Sequence, residues 1–141
     1  MLKSVTKSSL IIYNPEEGFL RVSSILDYDV ELSDAKHDFC EAAKLINYIK
    51  MPVLADSRNV TYQTKEVREF YASKEMGKNI TAMAVLVDSL ASKILGNFFI
   101  KANKPHFPTK LFTDEQLAVN WLMDIIKKEK QQSSSENLTV T

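Results

Sequence analysis

The sequence is poor in the residues that carry most catalytic and redox chemistry. It contains one cysteine, three glycines and two histidines among 141 residues. A single cysteine excludes an internal disulfide and a multi-cysteine zinc site, and so few glycines leave little material for a phosphate-binding loop. The 18 basic and 18 acidic side chains cancel, whereas a dedicated nucleic-acid binder usually carries a basic excess. We therefore expect no cofactor and no nucleic-acid partner.

Long apolar runs are also missing. The longest runs, such as Ala82–Val87, are far shorter than the ~20 residues that a membrane-spanning helix needs. The first residues, from Met1 to Lys7, lack the apolar segment of a signal peptide. We therefore expect a cytoplasmic protein with no membrane span. Its length suits one domain with a hydrophobic core of its own.

What the sequence does have is a regular alternation of strand and helix patterns. Two strand-like runs, Ser9–Asn14 and Phe19–Ile25, flank the segment Pro15–Gly18, which is typical of a hairpin loop. Three further strands are predicted at Pro52–Asp56, Ala82–Val87 and Lys110–Phe112. Since Ala82–Val87 is apolar throughout, it is typical of a strand buried on both faces of a parallel sheet.

Helix start signals follow each strand from the second onward. The predicted capping residues are Ser33, Thr64, Ser89 and Thr113. The order ββαβαβαβα predicts an α/β fold with a mostly parallel sheet covered by helices. We expect residues 1–8 to be a lead-in, residues 9–130 to form the domain, and the polar residues 131–141 to be a disordered tail.

Several local strings resemble a known family. The string Asp56-Ser57-Arg58-Asn59-Val60-Thr61 resembles the segment Asp-Leu-Ser-Gly-Val-Thr that ends the central strand of STAS domains. Further strings resemble an uncharacterised bacterial STAS-like family with the SpoIIAA-like fold of anti-sigma-factor antagonists; they are Ala84–Ser89, Leu95–Phe99, Asn103–Pro105 and Lys110–Asp114. The resemblance extends roughly from Ser9 to Ile126 and implies a regulatory or protein-interaction domain.

One position departs from this resemblance. Anti-sigma-factor antagonists carry a phosphorylated serine at the start of the helix after the central strand. Counted from Asp56, that position falls on Glu66, which cannot be phosphorylated. Thr64 lies two residues earlier and is interpreted as a helix cap. We expect the serine phosphoswitch to be absent.

A candidate ligand edge lies where the parallel strands end. Ligands gather at the carboxyl ends of strands in open α/β sheets. The candidate residues there are Asp56, Ser57, Arg58, Thr64 and Asp88. Together with Asp114, the aspartates have the chemistry to bind a divalent cation or to act as acids and bases. Aspartates at such positions more commonly cap helices or end strands, and this second interpretation is favoured.

A second group of candidate ligands lies on the first helix. His37, Cys40 and Glu41 are spaced i, i+3 and i+4, which places them on adjoining parts of one helix surface. The favoured alternative makes Cys40 a packing residue and His37 a solvated one, because the sequence offers no second ligand cluster. A mid-helix cysteine also gains no activation from a helix N-terminus. We predict neither a catalytic nor a metal-binding residue.

The charges and the apolar residues are unevenly distributed. Residues 14–41 contain eight acidic side chains, and residues 91–110 contain four lysines and no acid. The helix at Leu90–Ala102 and the last helix each carry apolar residues over about half of their circumference, more than one sheet face requires. Either the two helices pack on each other, or they form a dimer interface or an apolar ligand cleft. The candidate interaction surface consists of Ile94, Phe98, Phe99, Trp121 and Ile125.

Three hypotheses of function follow. The first is a non-enzymatic regulatory or protein-interaction domain, a homodimer, with an apolar patch around Phe98, Phe99 and the last helix. The second is a carrier of a small apolar or lipid-like ligand, by fold-level analogy with lipid-exchange domains of the Sec14 type. The third is a metal-assisted enzyme that uses the strand-end aspartates. A filled core would exclude the second hypothesis.

Overall fold

The computed structural model describes the backbone of residues 1–139 and the side chains of residues 1–135. This part of the chain contains six strands and five helices. They are β1 (Leu2–Val5), β2 (Ser9–Tyr13), β3 (Leu20–Ser24), α1 (Leu32–Leu45), β4 (Met51–Asp56), α2 (Lys65–Tyr71), α3 (Lys74–Gly77), β5 (Ile80–Leu86), α4 (Leu90–Asn103), β6 (Thr109–Phe112) and α5 (Glu115–Thr139).

The strands form one sheet in which spatial order follows chain order. β1, β2 and β3 are an antiparallel meander, and β3, β4, β5 and β6 run parallel to one another. The hairpin between β2 and β3 places Tyr13 opposite Leu20, and Gly18 adopts a φ of 80° that a residue without a side chain tolerates. The predicted α/β class with a mostly parallel sheet is confirmed.

The structure contains elements that the sequence patterns did not reveal. β1 lies inside the predicted lead-in of residues 1–8, where it pairs with β2 as an edge strand. Its side chains are mostly exposed, so no apolar alternation marks it. The helix α5 continues to Thr139, through most of the predicted polar tail, because that segment has no proline or glycine to end it. Residues 140 and 141 of the predicted tail lie outside the described residues.

Two of the predicted helix caps are confirmed. The side-chain oxygen of Thr64 accepts a hydrogen bond from the backbone N–H of Val67, 3.2 Å away, at the start of α2. Ser89 accepts from the backbone N–H of Ser92 at 3.1 Å and begins α4. Both residues satisfy a backbone donor that has no partner inside the helix.

The other two predicted caps are wrong by one or two residues. α1 begins before Ser33, because the side chain of Asp34 accepts from the backbone N–H of Glu31 at 3.0 Å and closes a reciprocal cap there. α5 is capped by Asp114, which accepts from the backbone N–H of Leu117 at 3.0 Å, and not by Thr113. In both cases a carboxylate next to the predicted residue performs the capping.

One face of the sheet is covered by α5. Side chains from β4, β5 and β6 pack there against the buried residues Ala118 and Leu122 of α5. This core also contains Phe19, Leu54, Ala84, Leu86 and Phe112.

The helices α1, α2, α3 and α4 lie against the opposite face. Of the alternatives left open for the two apolar helices, packing of α4 and the last helix on each other on one face is therefore excluded. Right-handed crossovers between successive neighbouring strands place all the intervening helices on one side, and only the helix after the last strand reaches the other.

The central strand β5 is covered unequally on its two faces. Ala82, Ala84 and Leu86 are fully buried beneath α5. Met83 and Val85, which point to the opposite face, are only half-buried. The prediction of a strand buried on both faces is therefore correct for the α5 face, while the opposite face is buried only in part.

Candidate apolar-ligand cavity

A cavity of about 510 Å³ lies between the sheet and the helices α1, α2 and α4. Its floor is a row of small residues on three neighbouring parallel strands: Val22 on β3 pairs with Ala55 on β4, and Ala55 pairs with Val85 on β5. Further apolar side chains from the sheet and from the helices line it; they include Leu20, Phe39, Ala42, Tyr71, Met83, Leu95, Phe99, Ile100 and Leu111. The chemistry of the cavity is predominantly apolar.

The cavity exists because the helical layer over this part of the sheet is incomplete. The crossover from β4 to β5 contains two short helices of seven and four residues, too short to span the sheet. The following helix α4 contains no buried residue. It approaches the sheet closely where a Cβ placed on Gly96 would lie 2.8 Å from Cδ2 of Leu111. α4 therefore lies at the margin of the sheet and leaves its centre uncovered.

One end of the cavity is lined by a buried carboxylate. Asp38 on α1 is buried, and its carboxylate accepts hydrogen bonds from the hydroxyls of Thr6, Ser8 and Ser9, the last at 2.7 Å. A buried charge requires such partners, because its transfer from water is otherwise costly. Sequence reasoning missed Asp38, although its place on the apolar stripe of the first helix was a usable signal, since a carboxylate rarely occupies such a position without partners.

A second charged side chain lies where α2 and α4 face each other. The guanidinium of Arg68 stacks over the ring of Phe99, with its carbon 4.0 Å from the ring centroid. Its Nη1 donates to the backbone carbonyl of Gln63 at 2.6 Å. Among the described residues that line the cavity, Arg68 is the one basic side chain. No local sequence signal identifies it, because its stacking partner lies on another helix.

The half-buried Tyr71, at the end of α2, also lines the cavity. Removal of water raises the pKa of its phenol to about 12, and the carboxylates of Asp38 and Asp34 add to this increase. Tyr71 therefore remains neutral at physiological pH and retains its O–H donor. No hydrogen bond among the described residues occupies this hydroxyl.

The structure divides the predicted ligand edge between the two faces of the sheet. Asp56 lies on the α5 face, where Arg58 donates to both carboxylate oxygens at 2.9 and 2.7 Å. These hydrogen bonds hold the pKa of Asp56 below its ordinary value. The Nη2 atom of Arg58 also lies 3.5 Å from a carboxylate oxygen of Glu115. Ser57 and Asp88 line the cavity instead, and Thr64 caps α2.

The strand-end aspartates do not converge on a common point. Asp88 accepts a hydrogen bond from the hydroxyl of Ser92 at 2.7 Å, which lowers its pKa, and Asp114 caps α5. His37 and Cys40 are exposed on α1. Within the part of the chain that the structure describes, no three His, Cys, Asp or Glu side chains come together as a metal-ligand set.

The five residues of the predicted interaction surface occupy three places. Ile94 and Phe98 lie on the outer face of α4 with exposed fractions of 64% and 66%. Phe99 lines the cavity. Trp121 and Ile125 are half-buried on α5, across the sheet, where the ring of Trp121 packs 5.9 Å from that of Phe112. Only Ile94 and Phe98 belong to one exposed patch.

Comparison with known proteins identifies relatives by family and by fold. The family described as "Domain of unknown function (DUF7793)" matches residues 13–126. A search of curated proteins finds no match. The chain is similar in structure to an uncharacterised protein of the DUF3478 family from Shewanella loihica PV-4, which has a SpoIIAA-like fold. The TM-score is 0.60 at 14% identity, and the match covers 84% of this chain and 98% of the other.

This likeness supports the fold that the sequence resemblance implied. The domain has a SpoIIAA-like, STAS-like fold, and its similarity to an uncharacterised family is confirmed. Among the described residues, no helix is both long and apolar enough to cross a membrane.

Proposed function

Since the chain belongs to the DUF7793 family, a family of unknown function, we propose from its structure that it binds a small apolar ligand in the cavity beneath α4. In this proposal the SpoIIAA-like domain is non-enzymatic and works through binding. The cytoplasmic location expected from the sequence, and the absence of the serine phosphoswitch, are parts of the same proposal.

The observation that carries the proposal is the size and lining of the cavity. At about 510 Å³ it falls within the range of ligand pockets, roughly 300–1,000 Å³. The lining exposes apolar surface to water, and burial of such surface is favourable by about 25 cal/mol per Å². A ligand that fills this space stabilises the folded state by restoring the missing contacts. An uncovered floor of Val22, Ala55 and Val85 suits an aliphatic or aromatic group.

Native mass spectrometry of freshly purified protein tests for a resident ligand. A population heavier than the chain by a discrete mass, lost on denaturation, is the expected result. Delipidated protein should then bind the neutral probe N-phenylnaphthylamine, whose fluorescence increases in apolar surroundings. A clean apo mass together with no fluorescence increase would contradict the proposal.

Two variants locate the bound probe. Ala55→Leu places a larger side chain on the cavity floor and should weaken probe binding, because it occupies part of the volume. Ile94→Ser removes an exposed apolar residue from the outer face of α4 and should leave binding unchanged. The opposite pattern would place the probe on the outer surface and exclude the cavity as its site.

The outer face of α4 supports a second function, association with another protein. Leu90, Ile94 and Phe98 are spaced four residues apart and form a stripe whose members are 68%, 64% and 66% exposed. Contiguous exposed apolar residues commonly mark an interaction site. The homodimer expected from the sequence would bury this stripe against a second copy of the chain.

Size-exclusion chromatography with light scattering tests the homodimer. The wild-type protein should elute as a dimer at micromolar concentration, and the double variant Ile94→Ser with Phe98→Ser should elute as a folded monomer. A wild-type monomer at tens of micromolar would be incompatible with this second function, while the ligand proposal would be unaffected.

A further inference from the structure

We infer that the ligand of the cavity is an amphiphile, with an apolar tail on the cavity floor and an anionic head group bound by Arg68. This inference rests on the proposed function and names its ligand class. It follows from the position of one guanidinium at the boundary between an apolar cavity and the gap between α2 and α4.

Arg68 has unused hydrogen-bonding capacity. A guanidinium carries five N–H donors and is always charged, yet one hydrogen bond to a protein acceptor, the carbonyl of Gln63, engages it within the described residues. No carboxylate of that part of the chain lies within ion-pair distance of it. The half-buried charge therefore retains several donors for a ligand.

Among the residues that the structure describes, two acidic side chains line the cavity, and both have partners other than Arg68. Asp38 accepts from three hydroxyl groups, and Asp88 accepts from Ser92. A protein carboxylate that neutralised Arg68 would make an anionic ligand unnecessary, but neither of these two lies within 4.0 Å of the guanidinium. An exogenous carboxylate or phosphate is the group that would satisfy it.

The stacking of Arg68 on Phe99 also prepares the guanidinium for an anion. Phe99 holds the guanidinium carbon 4.0 Å from its ring centroid, and the N–H donors that Gln63 does not engage are the kind that bind a carboxylate through both oxygens. This contact joins α2 to α4, and both residues line the cavity. An anion bound to Arg68 would therefore lie at the edge of the cavity. Its tail then extends towards the apolar floor formed by Val22, Ala55 and Val85.

Calorimetric titration of delipidated protein tests the inference with three matched probes. Dodecanoate has both parts of the proposed ligand, dodecanol has the tail without the charge, and butyrate has the charge with little tail. Dodecanoate should bind ~10-fold or more tightly than dodecanol, since a charge-assisted hydrogen bond contributes that much to affinity. Butyrate should bind much more weakly than either.

Variants of Arg68 assign the preference to this side chain. Arg68→Met keeps an apolar stem beside Phe99 and should reduce dodecanoate affinity to that of dodecanol, with dodecanol affinity unchanged. Arg68→Lys keeps the charge and should retain part of the preference. Lys101→Met removes a positive charge from the exposed surface of α4, outside the cavity lining, and should leave dodecanoate affinity unchanged. Circular dichroism checks that each variant is folded.

The outcomes separate this inference from the proposed function. Equal affinities of wild-type protein for dodecanoate and dodecanol, unchanged in Arg68→Met, would overturn the anionic head group and leave the apolar cavity in place. Failure of both long-chain probes to bind would overturn the proposed function itself. An intact carboxylate preference in folded Arg68→Met would assign the head group to another residue and refute the inference.

Discussion

Replacement of Ala55 by leucine tests whether the centre of the sheet is uncovered as the structure has it. Ala55 lies on the cavity floor between Val22 and Val85. Leucine adds three carbon atoms, and burial of these stabilises the folded state by up to ~2.4 kcal/mol at ~0.8 kcal/mol per methylene. Restriction of the longer side chain costs about 0.5–1 kcal/mol. Ala55→Leu should therefore stabilise the apo protein by roughly 1–2 kcal/mol.

Ala84 on the neighbouring strand is the matched control. It faces α5, has no exposed surface and packs in a filled core with Leu54 and Leu122. The same substitution there must displace neighbours, which typically costs 1–3 kcal/mol, so Ala84→Leu should destabilise by about that amount. The two substitutions are chemically identical and are expected to have opposite signs because only one of the two faces has free space.

Urea unfolding followed by circular dichroism measures both changes in the free energy of unfolding. Thermal midpoints should move in opposite directions, by ~4 °C for each kcal/mol in a domain of this size. Destabilisation of Ala55→Leu to the same extent as Ala84→Leu would refute the reasoning, because it would mean that the floor of the cavity is packed.

Three further predictions concern local interactions. Thr64→Ala should destabilise the protein by ~1 kcal/mol through loss of the α2 cap, whereas Ser33→Ala, at a position predicted but not used as a cap, should have no effect in urea unfolding. Folding lowers the pKa of Asp56, so its ionised carboxylate stabilises the folded state. This stabilisation is complete above pH 3.8, the ordinary pKa of the group, and is lost as the pH falls through the pKa of the folded state. Asp56→Asn should therefore lower the free energy of unfolding at neutral pH by less than ~1 kcal/mol, and the difference from wild type should disappear in acid. A difference that stayed constant with pH would contradict this prediction. The pKa of Tyr71 is raised to about 12 in the folded state, so between pH 10 and 12 its phenol ionises in the unfolded state first and the wild-type protein loses stability. Tyr71→Phe removes this group and should reduce that loss, as measured by urea unfolding across this pH range.

The sequence predicted best the features that depend on neighbouring residues. The hairpin at Pro15–Gly18 and the caps Thr64 and Ser89 were correct, since turn and cap preferences act over a few residues. The strand β1 was missed, because an exposed edge strand buries too little apolar surface to leave a pattern. The cap of α1 was misplaced because a glutamate and an aspartate can form the same reciprocal cap as a serine.

The candidate site was predictable only in part. The excess apolar surface of α4 was recognised in the sequence, and an apolar ligand cleft was one of its stated explanations. Ser57 and Asp88 of the predicted ligand edge do line the cavity, but its other charged side chains, Asp38 and Arg68, were not identified. Each depends on partners from other elements, the hydroxyls before and within β2 for Asp38 and the ring of Phe99 for Arg68. Such pairings leave no periodic signal in one chain.

By itself the sequence determined the class of fold, because alternating strands and helices with short connections permit few arrangements of a sheet. It also restricted the chemistry, through its scarcity of cysteine, glycine and histidine. Only the tertiary structure decided that α4 and α5 lie on opposite faces and that α4 leaves the centre of the sheet uncovered. The apolar periodicity of a helix indicates only that one side of it is shielded from water. The distance between that side and the sheet depends on the lengths of other elements and on contacts such as that of Gly96 with Leu111.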